Sequence, residues 1–441
     1  MNLSNKNVLV VGLGSSGIAA ANRAVELGAN VAAYDDSDVQ NELLLNLKKI
    51  GIKKISAKNG LLNNIDLLIT SPGVPVRSSI LRNASSLEIP IISELEFAYR
   101  QTNNRIIAVT GTNGKSSTVT LIGQILTAAG KDCIVAGNIG LPFTEALKKA
   151  KSETIFVLEV SSFQLEFSPR FHPHTSMILN IAEDHIDWHG SFEDYIKAKL
   201  KIFSNQIEGD FALINLDDEV LSGRINSLDD LKVNLLTFGV DGAADFFTEK
   251  NILYYKDYKI CSIDNLKLVG KHNISNILGA VAAAYLNGVD SRYIQETVDN
   301  FSGLGHRIDF IGELNGVKYY DDSKATNPHA TMAALGSFDK PVILLLGGKN
   351  KDNDFQQLAK FAGERAEKIF LFGEAAPVIA KYLPEKVRPF ITKTLAETVT
   401  KVRETANKGD IVLLSPACAS FDEFQNYKER GRAFKKAVFK Q

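Results

Sequence analysis

Short apolar runs bounded by glycine and small polar residues alternate along this chain with longer stretches whose apolar side chains recur at helical spacing. Val8-Leu-Val-Val11 predicts a strand, Gly12-Leu-Gly14-Ser-Ser-Gly17 a turn, and the residues up to Gly28 a helix. A second strand over 31–34 ends at Asp35-Asp36, and a third over 66–70 runs into Ser71-Pro-Gly-Val-Pro75. The same alternation restarts near residue 97 with the strand over 106–109 and again near 302. Further strands are predicted over 155–159, 176–179, 342–346, 368–372 and 410–414, several of them ending in small or polar residues. Strands alternating with helices predict an α/β protein of parallel sheets, with a binding edge at the strand C-termini. The restarts divide it into a Rossmann-like nucleotide-binding sheet (1–97), a central P-loop ATPase-type domain (98–302) and a C-terminal Rossmann-like domain (303–441). At 441 residues, about three domains is also what length alone allows.

The most specific chemistry lies in Arg105-Ile-Ile-Ala-Val-Thr-Gly-Thr-Asn-Gly-Lys-Ser-Ser117. A buried strand, a glycine turn, Lys-Ser and a helix ended by Gly130 together make a phosphate cradle. Backbone N–H groups and the helix N-terminus favour phosphate charge, Lys115 reaches the terminal phosphate, and Ser116 reaches Mg²⁺. The usual first glycine is replaced by Val109, with Gly111 compensating. The N-terminal GxGxxG, with an acid about twenty residues downstream, is the pattern of a dinucleotide-binding unit. Alone it fits a dehydrogenase as well as any protein that holds a diphosphate; the separate triphosphate loop argues against the dehydrogenase.

Other candidates are less specific. Glu159 sits in an apolar strand downstream of the P-loop, where an NTPase places the acid that holds Mg²⁺; the alternative is a buried ion pair. His185 follows a strand end among acids, as a metal ligand or an ordinary polar residue. Lys199 lies on a helix in Tyr195-Ile-Lys-Ala-Lys199-Leu-Lys201, a pattern that normally makes a solvated face. Asn273 and Asn276 precede an Ala-rich helix over 277–286, where capping is the default and reading a base edge the alternative.

Composition excludes more than it selects. A net charge of -1 gives no reason to invoke nucleic acid or an anionic membrane. Cys133, Cys261 and Cys418 have neither disulfide-framework nor zinc spacing. The apolar runs are strand-length and the N-terminal residues do not read as a signal peptide. A cytoplasmic monomer without membrane insertion is expected.

On these motifs the chain resembles the Mur ligases, the ATP-dependent amino-acid ligases of peptidoglycan assembly. The shared stretches are the Thr-Gly-Thr-Asn-Gly-Lys-Ser loop ending at Ser116, Glu159-Val-Ser-Ser, Glu183-Asp-His185, Lys199, His272-Asn273, His306-Arg307 and Asp322-Ser-Lys-Ala-Thr-Asn327. They follow the family's order along essentially the whole chain. Leu414-Ser-Pro-Ala-Cys-Ala-Ser-Phe-Asp-Glu-Phe424, with Tyr427 and Arg430-Gly431, is similar to the member that adds D-glutamate.

The resemblance implies that the first domain holds the UDP of UDP-N-acetylmuramoyl-L-alanine. Ser15, Ser16 and Gly17 would meet its diphosphate and Asp35 and Asp36 its uracil end, although Asp36 stands where relatives often carry a hydroxyl residue. Ser71, Pro72, Gly73, Asn138, Ser161 and Gln164 would position the same substrate. ATP would meet Gly111, Thr112, Asn113, Gly114, Lys115, Ser116, Ser117, Asn273, Asn276, Arg307, Asp322 and Lys324. Two Mg²⁺ ions are implied, one held by Ser116 and Glu159 and the other by His185. Lys199 would act as a carbamate, an oxygen ligand beside the metal. Lys115, His185 and Lys199 are the implied catalytic residues, and Thr326, Lys351, Ser420, Phe421 and Tyr427 would receive D-glutamate.

Overall fold

The computed structural model describes residues 1–36, 52–54, 61–228, 231–241, 243–266, 268, 270–303, 305–350 and 354–440. They form two compact units, residues 1–265 with 275–300, and residues 266–274 with 301–441.

The first unit carries two sheets. β1 (Asn7–Val11), β2 (Asn30–Tyr34), β3 (Lys53–Lys54), β4 (Leu67–Thr70) and β5 (Ile91–Ser93) pair in the order β3-β2-β1-β4-β5, all parallel. The helix Ser15–Glu26 buries Ala19, Ala20, Ala21 and Ala24, small side chains that let it lie close to the sheet. Strand order reverses between β1 and β4, which opens a crevice at their C-terminal ends.

The second sheet contains β6 (Ile106–Thr110), β7 (Cys133–Gly137), β8 (Ile155–Glu159), β9 (Thr175–Ile178), β10 (Phe211–Asn215), β11 (Asn234–Gly239), β12 (Phe246–Glu249), β13 (Ile252–Tyr255) and β14 (Tyr258–Ser262). Its order is β14-β13-β12-β11-β10-β9-β6-β8-β7. β6 is flanked by β8 and β9 in parallel register, so its five buried residues read as a continuous apolar strand. The β12–β13 and β13–β14 pairs are antiparallel hairpins added to a parallel core. That extension was not legible in the sequence pattern. The boundary expected at residue 97 falls inside the helix Glu94–Tyr99.

In the second unit, β15 (Asp309–Leu314), β16 (Val317–Asp321), β17 (Val342–Gly347), β18 (Ala366–Phe372), β19 (Phe390–Ile391) and β20 (Ile411–Ala417) pair in the order β15-β16-β20-β17-β18-β19. β15 alone is antiparallel. β17 is buried at every position; each of its large aliphatic side chains contributes about 1.5–3 kcal/mol of transfer free energy. Three α/β sheets are therefore present, as the alternation predicts. Among the described residues no helix is long and apolar enough to cross a membrane.

Candidate active site

The first glycine-rich turn closes a cavity of about 470 Å³ at the β1/β4 crevice, lined by Ser15, Ser16, Asp35, Asp36, Ser71, Pro72 and Gly73 among others. The turn is held from both sides. Asp35 Oδ2 accepts the Leu13 N–H at 2.5 Å, and Ser71 Oγ donates to the Gly12 carbonyl at 2.8 Å. Gly17 lies under the turn rather than in the cavity wall. A Cβ there would stand 1.8 Å from the Gly12 carbonyl oxygen, so helix and strand approach only because Gly17 has no side chain. Tyr34 donates its hydroxyl to Asp36, and that hydrogen bond, with burial, raises the phenol pKa above its ordinary value.

Asn138, Ser161 and Gln164 are not lining residues of that cavity. Asn138 Nδ2 donates to Glu159 Oε1 at 3.1 Å. Ser161 and Gln164 form a capping box at the start of the helix Ser162–Glu166, and Gln164 Nε2 is a buried atom without a hydrogen-bond partner.

The second glycine-rich turn leaves the end of β6, an inner strand of the second sheet, and opens the helix Lys115–Ala128, with Gly114 as its left-handed cap. Its shape is set by residues remote in sequence. The Asn180 carboxamide spans the turn, accepting the Asn113 N–H at 2.8 Å and donating to the Asn113 carbonyl at 3.0 Å. The Thr112 N–H bonds to the Asn180 carbonyl at 2.9 Å, and Thr112 Oγ1 lies 3.0 Å from the Tyr195 hydroxyl. Asn276 packs so closely on Gly114 that a Cβ there would lie 2.1 Å from its Oδ1.

Two lysines and an acid converge on this turn. Lys115 Nζ donates to the carbonyls of Gly111 (2.7 Å) and Thr112 (2.9 Å), while Lys199 Nζ donates to the same Gly111 oxygen at 2.8 Å. Lys199 is fully buried, against the solvated-face expectation, and it is Lys197 that is exposed on that helix. Burial holds the Lys199 amine well below its ordinary pKa; Lys115 adds to this, and Asp184 and Glu159 oppose it. Ser116 Oγ donates to Glu159 Oε2 at 2.6 Å.

The donor chemistry fits Mg²⁺. Ser116 and Glu159 offer hard oxygen ligands, and among the described residues no group of three or more His, Cys, Asp or Glu could cage a metal. Mg²⁺ is characteristically bound by one or two protein oxygens, keeping water and phosphate for its other positions. His185 lies at the start of the helix Ile186–His189 in a left-handed conformation (φ 57°), its Nε2 3.7 Å from Asp184 Oδ2.

Asn273 and Asn276 depart from the capping expectation. The helix begins at Lys271, so both lie inside it. Polar residues in its first turn hid that start from the apolar pattern. Asn180 was overlooked as a functional residue, because its task appears only once β6 and β9 are neighbours. His189 was overlooked too: its Nε2 is 2.9 Å from Ser162 Oγ, and burial pushes its pKa down to about 4.

In the second unit, Arg307, Asp322 and Lys324 lie near the C-terminal end of β16. Asp322 is buried, accepts hydrogen bonds from Ser415 Oγ (2.6 Å) and the Ile308 N–H (3.3 Å), and is pushed up to about 7 by burial. Lys324 Nζ stands 5.6 Å over the Tyr427 ring. Ser420 is buried, Thr326 and Tyr427 are half-buried, and Phe421 is exposed. Lys351 lies outside the described residues.

Arg430, quoted in the sequence only as part of a motif, ties these loops together from beneath. Its guanidinium donates to Ser323 Oγ and to the carbonyls of Ser323, Cys418 and Ala419 at 2.8–3.2 Å. Burial among neutral acceptors lowers its pKa to about 10.

The family profile of the Mur ligase MurD-like N-terminal domain matches residues 6–93, that of the Mur ligase middle domain residues 109–284, and that of the Mur ligase glutamate ligase domain residues 306–418. The UDP-N-acetylmuramoylalanine--D-glutamate ligase of Caldanaerobacter subterraneus subsp. tengcongensis is 39% identical over 448 residues, covering 99% of each chain. The enzyme of the same name from Thermoanaerobacter sp. strain X514 is 40% identical over 461 residues, again 99% of each.

Among solved structures, MurF of Acinetobacter baumannii shares the fold at TM-score 0.63 and 17% identity, over 98% of this chain and 91% of its own. The UDP-N-acetylmuramate-alanine ligase of Thermotoga maritima does so at TM-score 0.60 and 20% identity, over 97% and 98%. Profiles along the whole length, full-length relatives and the shared fold agree: this chain is a member of the Mur ligase family.

Proposed function

We propose that this chain joins D-glutamate to the alanyl carboxylate of UDP-N-acetylmuramoyl-L-alanine at the expense of ATP, a step of peptidoglycan precursor synthesis. The observation that carries the mechanism is the meeting of Lys115, Lys199, Ser116 and Glu159 at one glycine turn. A carboxylate is a poor electrophile. Its oxygen attacks the γ-phosphorus, the bond to ADP breaks, and an acyl phosphate forms. The amine of D-glutamate, having lost a proton, then attacks the carbonyl carbon; the C–O bond breaks, phosphate leaves, and the amide remains.

The chain's part is placement and charge. Lys115 turns from the Gly111 and Thr112 carbonyls to the terminal phosphate, and the backbone N–H groups of the turn receive phosphate oxygens. Ser116 and Glu159 would hold one Mg²⁺ and His185 a second, and the ions supply positive charge against the phosphates. Burial holds the Lys199 amine well below its ordinary pKa, which favours the uncharged form that attacks CO₂ and supports its use as a carbamate. Residues 1–97 are assigned to the UDP substrate, 98–302 to ATP and 303–441 to D-glutamate through Thr326, Ser420, Phe421, Tyr427 and Lys351. Asn273, Arg307, Asp322 and Lys324 are assigned to ATP. A cytoplasmic monomer fits these small soluble substrates.

The test is phosphate release with Mg²⁺, ATP and UDP-N-acetylmuramoyl-L-alanine, varying the amino acid across D-glutamate, L-glutamate, L-lysine, diaminopimelate and none. Release with D-glutamate alone, with a product heavier by one glutamyl unit, is expected. Release with another amino acid moves the specificity; silence despite ATP binding refutes the ligase assignment.

A further inference from the structure

His185 has a backbone conformation that a residue with a side chain adopts only when its surroundings enforce it. The enforcing contacts lead away from the P-loop. The Phe163 ring packs edge-on against His185 at 4.8 Å and against Trp188 at 4.6 Å. Trp188 lies 4.5 Å from the His189 ring, and its own N–H bonds to the His185 carbonyl at 3.1 Å. At the far end of the turn, Gly190 (φ 93°) is covered by Arg77, whose Nη2 would stand 2.0 Å from a Cβ there.

Trp188 is buried, and its indole Nε1 donates to the Val74 carbonyl at 3.1 Å. Val74 lines the cavity of the N-terminal sheet. Its Cγ2 packs against Gly12, 2.9 Å from where a Cβ would be, and its N–H bonds to the Ser71 carbonyl at 3.1 Å. One indole thus holds the wall of one phosphate cradle with its nitrogen and the His185 turn with its ring and backbone.

We infer that Trp188 is a positioning residue that couples the two: filling the N-terminal cradle fixes the Val74 carbonyl, which orders the His185 turn, and ordering that turn tightens the cradle in return. The inference rests on the assignment of the UDP substrate to that cradle. Coupling of this kind is reciprocal, since each ligand must change the other's affinity by the same factor.

The chain contains a single tryptophan, so its intrinsic emission reports on this contact alone. The experiment titrates the whole protein with UDP-N-acetylmuramoyl-L-alanine, with and without Mg²⁺ and a non-hydrolysable ATP analogue, following emission and, in parallel, calorimetric heat. Emission is expected to change with each ligand, and the nucleotide to tighten the substrate by about fivefold or more. Trp188→Phe keeps a packed ring and removes the donor; its coupling factor is expected to fall to about one while each ligand alone binds within about twofold of wild type. An unchanged factor in Trp188→Phe overturns the inference. So does emission that stays fixed while calorimetry records substrate binding, an arm that stands even if the variant does not fold. A protein that binds neither ligand overturns the substrate assignment as well.

Discussion

The two glycine-rich turns of the first unit look alike in sequence and are built differently. Each follows an inner parallel strand and opens a helix. The N-terminal one is braced by its own sheet edge, through Asp35, Ser71 and the bare α-carbon of Gly17. Among the described residues, no lysine or arginine lines its cavity. The central turn is braced from afar, by Asn180 and Asn276, and brings two lysine side-chain nitrogens to one carbonyl oxygen. A cradle of backbone dipoles suits a diphosphate that is only held. A cradle with mobile cations suits a phosphoryl group whose charge shifts during reaction. On the proposed function, the difference between the turns is one between gripping and reacting.

Four substitutions sharpen that contrast. Lys115→Ala has the largest expected effect, a loss of about a hundred- to a thousandfold in turnover, with binding of the UDP substrate unchanged; steady-state rates and calorimetry read both, and near-normal turnover removes Lys115 from the chemistry. Gly17→Ala acts on the other cradle. Its methyl meets the Gly12 carbonyl, at a cost of about 1–3 kcal/mol in stability, and it weakens the UDP substrate while sparing the nucleotide. Denaturant melts and two binding isotherms check this.

Asn180→Ala reverses the pattern. It removes both hydrogen bonds from Asn180 to the Asn113 backbone, at about 1–3 kcal/mol, and weakens the nucleotide only. Equal weakening of both ligands would show that the cradles are not independently braced. The smallest effect concerns His189, whose pKa falls from 6.5 to about 4 on burial. Between those values the unfolded chain binds more protons than the folded one, so stability present above pH 6.5 is lost as pH falls towards 4. His189→Gln should flatten that slope in melting temperature against pH.

The strands that frame the two glycine turns, the turns themselves and Lys115 were legible because they rest on local chemistry: an apolar run, a glycine where the backbone turns left-handed, a lysine at a helix start. What was not legible depends on neighbours in space. Asn180 reads as one polar residue after a strand until β9 lies beside β6. Lys199 reads as solvated because Lys197 and Lys201 flank it, yet the helix turns it inward while Lys197 stays exposed. Asn276 was misread because the apolar pattern begins a turn and a half after the helix does. The hairpins of β12 to β14 carry aromatic pairs such as Phe247 with Tyr254, a cross-strand signal that helix-and-strand alternation does not search for.

The distant bracing of the central turn also sets an order in time. The N-terminal sheet is complete once residue 93 has been made, whereas the turn at Gly114 lacks its cover until Asn276 emerges. At about 5–20 residues per second, translation separates these events by roughly 10–40 s. During that interval the nascent chain can carry a finished N-terminal sheet, proposed above to hold the UDP substrate, while the turn proposed for nucleotide is still uncovered.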